Sequence, residues 1–323
     1  HRADGFGDSV AKFLVPGKIR FDMVVFDEAS QIRVAESIGA MGRASGVVVV
    51  GDSRQMPPTA GFASSAAPVS ADEEGGVDDL LVVPDDEESI LEECVESGMP
   101  RELLAWHYRS QDEVLIDFSN RSYYDGRLSS FPSPFVARPD CGLVYHRVEG
   151  GQFQHGSKGA SDAAFQTNAV EADAIIAEVQ RRVADPALSQ FSMGIITLNA
   201  KQQELVRRKL VELNNPEITA LLESEDPEQE LFVLNLESVQ GRERDVIILG
   251  TSFSRRANGD KMPLNFGPLN QQRGERRLNV AITRARRQMV IFSSFDPDDL
   301  QAATARGLTD LREYLKLAKR ASE

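Results

Sequence analysis

FDMVVFDEASQ, residues 21–31, decides the fold. A short apolar run rich in valine ends on two adjacent acids, Asp27 and Glu28. Such a run reads as a strand of a parallel sheet, buried on both faces, with its functional groups at the carboxyl end. VVVVGDSRQMPP (47–58) repeats the pattern: an apolar strand, a Gly-Asp turn, then Gln55 and a Pro-Pro stop. Residues 32–44 lie between the two and read as the crossover helix. Strand, helix and strand in this order predict an α/β domain with a mostly parallel sheet.

The chemistry suggested by the first stretch is specific. Hydrolysis of a phosphoanhydride needs a magnesium ion placed by a carboxylate and a base that orients the water. Asp27 suits the metal, through water, and Glu28 suits the nucleophile. Gln55 is placed to reach a γ-phosphate or the attacking water. An ordinary polar strand exit also accounts for a lone Asp-Glu pair; the flanking FDMVVF and ASQ favour the catalytic reading.

Three further strings follow in order: WHYRS (106–110), LESVQGRERDVIILGTS (236–252) and LNVAITRAR (278–286). Tyr108 offers a ring that stacks on a base. Arg109 offers a guanidinium that clamps phosphate oxygens. In QGRERD (240–245), Gly241 stands where backbone approaches a ligand, Glu243 accepts a ribose hydroxyl, and Gln240 is assigned to the nucleotide side with them. Arg284, on an expected helix start within 278–286, suits an arginine finger. Arg286 faces elsewhere on that helix and reads as structural or as a nucleic-acid contact.

A second α/β unit surrounds these strings. Asn168 caps a helix with Glu171 three residues on, and Ala172, Ile175, Ile176, Val179 and Val183 form its apolar face. Strands are expected at 193–197, 231–236, 246–250 and 289–293, helices at 200–213 and 278–286, and an amphipathic helix at 308–319. The domain boundary is placed between residues 104 and 105.

Together these motifs resemble superfamily 1 helicases, in the branch of the nonsense-mediated-decay helicase and its bacterial relatives, over nearly the whole chain. FDMVVFDEASQ resembles motif II and GDSRQMPP motif III. The stretch from Trp106 to Pro132 resembles motif IV, ESVQGRERDVII motif V and LNVAITRAR motif VI. The resemblance implies RecA-like P-loop NTPase folds: the last part of one such domain in residues 1–104 and a second in 105–323. It implies ATP and Mg2+ as cofactors, bound in the cleft between domains, and single-stranded DNA or RNA as the partner. By it, Asp27 binds magnesium, Glu28 activates water and Gln55 senses the γ-phosphate. Tyr108 stacks on adenine, Arg109 and Arg284 clamp the γ-phosphate, and Gln240, Gly241 and Glu243 complete the nucleotide side. GIITLNAKQQELVRRKL (194–210) resembles a strand and helix that present nucleic-acid contacts, which makes Thr197, Asn199 and Gln202 candidates. Some bacterial relatives carry a nuclease-like domain after a helix like the last one here.

One part of the motor is missing. No G-x-x-x-x-G-K-[ST] phosphate loop occurs. The chain therefore reads as a piece of a longer protein, and alone it is expected neither to hydrolyse ATP nor to unwind duplex. A translocase that remodels without unwinding, or an inactive scaffold module, shares many of these features. The net charge of −14 is concentrated: residues 56–99 hold no Lys or Arg and twelve acids. The acidic stretch from Asp72 to Glu96 reads as a solvated loop, or more sharply as an autoinhibitory mimic of nucleic acid. No apolar run is long enough to cross a bilayer, and two distant cysteines match no metal spacing. A reduced, cytoplasmic setting follows.

Overall fold

A computed structural model describes residues 18–58, 89–132, 140–154, 166–255 and 262–322. The loop at 60–76, the acids Asp72–Glu88 and the upstream stretch 8–14 lie outside the described residues. The chain divides into two compact units, His1–Leu103 and Leu104–Glu323.

In the first unit, β1 (Phe21–Phe26) pairs in parallel with β2 (Ala44–Val49), and α1 (Val34–Met41) is the crossover between them. α2 (Ile90–Glu96) begins at Ser89, whose Oγ accepts from the Glu92 N–H at 3.2 Å. Val24, Phe26, Val47 and Val49 turn inward onto Ala29, Ile90 and Cys94. The opposite face corrects the expectation of strands buried on both sides. Met23 and Val25 are each 58% exposed, and Phe21 and Val48 are exposed beside them. Alternation sends successive side chains to opposite faces, and the described residues supply a helix layer for one face only.

The second unit is built on a five-stranded parallel sheet in the order β5-β9-β8-β6-β7. Its strands are β5 (Gly142–Arg147), β6 (Met193–Thr197), β7 (Phe232–Asn235), β8 (Arg244–Gly250) and β9 (Ala285–Ser293). A two-stranded parallel pair, β3 (Trp106–His107) with β4 (Ser129–Ser130), stands apart from it. On one face pack α4 (Ala169–Ala184) and α5 (Ala200–Glu212), with α6 (Pro216–Leu222) beside them. Ile175, Val179, Val206 and Leu210 meet Val246, Ile248 and Val290 there. Ile247, Leu249, Met289 and Ile291 alternate to the other face and are equally buried. α3 (Val114–Tyr123), α7 (Gly274–Ile282) and α8 (Arg306–Ser322) complete the fold. β6, β8 and β9, unlike β1 and β2, are buried on both faces over most of their length, which is why they read as continuous apolar runs.

Two glycines are required by space. A Cβ on Gly194 in β6 would lie 2.3 Å from the Phe232 ring of β7, and one on Gly274 would lie 2.4 Å from the Leu269 carbonyl oxygen. The helix expected at 278–286 is displaced. It runs Gly274–Ile282 and gives way to β9 at Ala285, because residues 285–293 pair on both sides, with β5 and β8, and this ladder pairing overrides helical periodicity.

Candidate nucleotide and nucleic-acid site

In the first unit the expected residues gather at the carboxyl ends of β1 and β2. Ala29 N–H donates to the Val50 carbonyl at 2.9 Å, and Val50 N–H donates to that of Phe26 at 2.8 Å. Gly51 packs close on the backbone of Ala29 and Ser30. Both loops are thus held side by side. Glu28 adopts a left-handed conformation, φ 51° and ψ 38°, at the start of a short 3₁₀ turn, Ala29–Gln31. That conformation is uncommon for a residue with a Cβ. Asp27 Oδ1 accepts from the Glu28 N–H at 3.0 Å. Both acids are exposed. Gln55 Nε2 donates to Asp52 Oδ2 at 3.0 Å, which orients its amide at the same edge.

In the second unit, three sequence-distant strings converge at the amino ends of β8 and β9. The Arg109 guanidinium pairs with Glu243 and donates to the Thr283 carbonyl at 3.5 Å. Glu243 also faces Arg286 at 3.7 Å. His107 adds its ring: Nε2 accepts from the Ser110 N–H at 3.2 Å and lies 2.8 Å from Ser110 Oγ. Burial holds the His107 pKa down to about 4, with Arg109 and Arg284 adding to it against the opposing effect of Glu243. The ring is therefore neutral at pH 7, as its acceptor role demands. The His107–Ser110 turn sends neighbouring side chains opposite ways. Arg109 turns in to Glu243, while Tyr108 is 85% exposed.

Arg284 lies past the end of α7, not at a helix start. Its side chain is 3% exposed. Nε donates to the Val280 carbonyl at 2.8 Å, and Nη2 to Thr283 Oγ1 at 3.2 Å. A guanidinium at a helix C-terminus satisfies carbonyls that the helix leaves open. Arg286 is on β9, not on a helix, and holds Asp245 at 3.1 Å and Glu228 at 3.1 Å. Gly241 has φ +77° with open space where a Cβ would stand, a conformation that favours glycine. Beside it, both polar atoms of the Gln240 amide are buried without a hydrogen-bond partner. Such a group stands out, because buried polar atoms are almost always satisfied.

The carboxyl edge of the same sheet carries the nucleic-acid candidates, and here the placement departs from expectation. Thr197 and Gln202 are fully buried. Thr197 Oγ1 donates to the Asn199 carbonyl at 2.8 Å. Gln202 exchanges two hydrogen bonds with the Asn168 backbone, at 2.8 and 2.9 Å. Neither side chain is presented as a surface contact. Asn199 caps α5, its Oδ1 accepting from the Gln202 N–H at 2.8 Å, while its Nδ2 is buried without a partner. Ser252, just beyond β8, is likewise buried with an unpartnered Oγ and has φ 68°.

Glu171 is the residue that sequence reasoning passed over. Its spacing from Asn168 marks the third residue of a capping motif, and Asn168 Oδ1 does accept from its N–H at 3.1 Å. Its carboxyl, however, turns inward. It is fully buried and accepts from the Ser252 N–H at 2.5 Å, Ser294 Oγ at 3.1 Å and Thr251 Oγ1 at 3.3 Å. The available signal was its position, four residues before Ile175 on the buried stripe of α4.

Among the described residues, no group of three or more His, Cys, Asp or Glu stands ready to hold a metal, and no helix is long and apolar enough to cross a membrane. Asp27 fits Mg2+ in the manner usual for that ion, one or two carboxylates with substrate phosphates supplying the rest.

Comparison with known proteins is consistent across the chain. An ATP-dependent helicase homologue of Mycoplasma pneumoniae, described as uncharacterised, is 30% identical over 94% of this chain and 26% of its own length. The Arabidopsis thaliana regulator of nonsense transcripts 1 homologue is 27% identical over 85% of this chain and 20% of its own. The chain spans about a quarter of the length of the mycoplasma relatives. The solved PRRSV helicase covers 88% of this chain and 37% of its own at 16% identity, with a TM-score of 0.36. The family model described as an AAA domain matches residues 87–296, well over half of the chain. By that match the chain belongs to this AAA-domain family, among superfamily 1 helicase-like proteins.

Proposed function

We propose that the chain is the part of an ATP-driven motor on single-stranded nucleic acid that senses nucleotide with one edge of a sheet and holds the strand with the other. The observation that carries this reading is the convergence of Arg109, Glu243 and Arg284 at the amino ends of β8 and β9, beside an unsatisfied Gln240 amide. Arg109, held by Glu243, and Arg284, held by its own helix end, are two cations that a γ-phosphate can draw away. Arg109 clamps phosphate oxygens when it leaves Glu243. Arg284 acts as a finger once it is released from the Val280 carbonyl. Such residues are worth roughly 10³–10⁵ in rate in nucleotide hydrolases. Tyr108, exposed and rigidly carried by the His107–Ser110 turn, stacks on the base. Gly241 admits close backbone approach, and Gln240 gains its missing partners from the nucleotide.

In the first unit, Glu28 orients and deprotonates the attacking water, and Gln55 reads the γ-phosphate. Asp27 is the residue that would hold Mg2+, which when bound neutralises charge on the β- and γ-phosphate oxygens. The 323 residues carry no phosphate loop, so the chain alone is inactive on ATP. Strand binding falls to the carboxyl edge, around Asn199 at the start of α5, with phosphate contacts and base stacking in place of sequence readout.

The test is ATPase activity of the longer protein, with and without single-stranded DNA or RNA. Stimulation by the strand, abolished by Glu28→Gln and by Arg284→Ala, is expected. Unchanged turnover in both variants would sink the assignment, and turnover by the isolated chain would sink the inactivity claim.

A further inference from the structure

The β3–β4 pair turns an apolar face outward. From Leu104 to Arg109 exposure alternates strictly. Leu104, Trp106 and Tyr108 are 78%, 62% and 85% exposed, while Ala105, His107 and Arg109 between them are half-buried. A period of two is that of an extended chain, whose successive side chains point to opposite faces. Strands with one solvated face ordinarily place polar residues on it. Here the polar His107 and Arg109 turn in, and the large apolar side chains turn out. β4 adds to the same face. Trp106 pairs with Ser129 in the ladder. Phe131, two residues further and 66% exposed, lies on the Trp106 ring, with centroids 5.2 Å apart and planes inclined by 29°. That is an offset stack, so the two rings brace each other although both meet solvent. Contiguous exposed apolar surface of this kind marks a binding site.

Two features point to a nucleobase as the occupant. The first is composition. Of the outward side chains Leu104, Trp106, Tyr108, Ser129 and Phe131, three are aromatic and none is charged. Flat uncharged rings receive another flat ring face to face, whereas a single strand also needs cations along its phosphates. The second is continuity with the nucleotide edge. Tyr108 and Arg109 are neighbours, and Arg109 turns its guanidinium to Glu243. One nucleotide can therefore lay its base on the outward face and bring its phosphates to the cations beside that segment.

We propose that Trp106, braced by Phe131, extends the Tyr108 ring into a platform for the base of a nucleoside triphosphate, and that ring area sets its choice, purines above pyrimidines. This deepens the nucleotide reading above and rests on it. The side chains of the face offer two hydroxyls and an indole N–H. They include no amide or carboxyl that would tell adenine from guanine by a donor–acceptor pair, so this face takes ATP and GTP alike.

Trp106 is the only tryptophan of the 323 residues, so intrinsic tryptophan fluorescence reads this face alone. The chain is titrated with ATP, GTP, UTP, adenosine, inorganic triphosphate and oligo(dT), and equilibrium dialysis with radiolabelled ATP measures binding independently. ATP and GTP are expected to quench the emission saturably and alike, UTP several-fold more weakly, and triphosphate not at all. Trp106→Ala and Trp106→Leu are expected to lower ATP affinity in dialysis by about tenfold. Trp106→Phe, which keeps a ring, is expected to preserve most of it. All three change an exposed side chain, so the fold is spared. ATP bound in dialysis with the emission unmoved overturns the platform and leaves the nucleotide reading intact. Equal quenching by adenosine and ATP, with ATP affinity unaltered in Arg109→Ala, supports the platform and refutes the phosphate clamp. Quenching by oligo(dT) but not by ATP gives the face to a strand and overturns the proposal. Neither quenching nor binding at millimolar ATP overturns both readings.

Discussion

Glu171 makes a quantitative claim on stability. Burial pushes its carboxyl up to about 8 from an ordinary 4.5, outweighing the hydrogen bonds from Ser252, Ser294 and Thr251 that favour the ionised form. The native state therefore keeps a proton that the unfolded chain releases. Between pH 4.5 and 8 the folded form binds more protons than the unfolded one, so stability falls as pH rises and levels off above 8. At 1.36 kcal/mol per pH unit of differential binding, the loss between pH 5 and pH 8 is roughly 3–4 kcal/mol. Glu171→Gln cannot titrate and removes this slope. Urea unfolding of both proteins, followed by circular dichroism at pH 5 and pH 8, isolates the effect, because every other titrating group cancels in the difference. With a urea slope of about 2 kcal/mol/M, the midpoint difference between the two proteins should shift by roughly 1.5–2 M across this range. The shift favours the unsubstituted protein at the acid end. A difference that stays flat would mean that Glu171 is ionised in the folded state, and the reasoning from burial would be wrong.

Other consequences concern the amino edge and the sheet. The His107 imidazole should titrate near 4 by NMR, and Arg109→Ala should raise that value without restoring 6.5, since burial is the larger cause; a normal pKa in the unsubstituted chain would refute the packing described. Gly194→Ala forces a methyl against the Phe232 ring and should lower stability by about 1–3 kcal/mol, read as a lower thermal midpoint, whereas an unchanged midpoint would show that the ring gives way freely. Gly241→Ala meets no atom within 4 Å and should cost only about 1–2 kcal/mol, from its positive φ. In the longer protein its larger effect should be a raised KM for ATP, and an unchanged KM would remove Gly241 from the nucleotide side.

Much of this molecule was legible in the residues. The strand ending in Asp27-Glu28, the crossover helix, the Asn168 cap and the strand at Met193–Thr197 stand where periodicity puts them, because each is signalled by a local pattern of apolar spacing and end residues. β5 and the short β3–β4 pair were not foreseen. Gly142–Arg147 becomes a strand by pairing with β9, more than a hundred residues distant, and local patterning does not carry such a pairing. The helix expected to reach Arg286 failed for the same reason.

The sequence by itself determined which residue types stand at the strand ends: acids after β1, a glutamine after β2, arginines before β9. That order sufficed for the class of fold and chemistry, since a motif is a local statement about spacing. Tertiary structure alone decided how those groups are employed. It turned Arg284 back onto its own helix, put Arg109 on Glu243, and buried Thr197 and Gln202. It also drew the carboxyl of Glu171 from a helix cap into the join of β8 and β9. The reason is physical: a side chain's partner, burial and charge state depend on what other parts of the chain bring beside it, and no spacing within one segment specifies that.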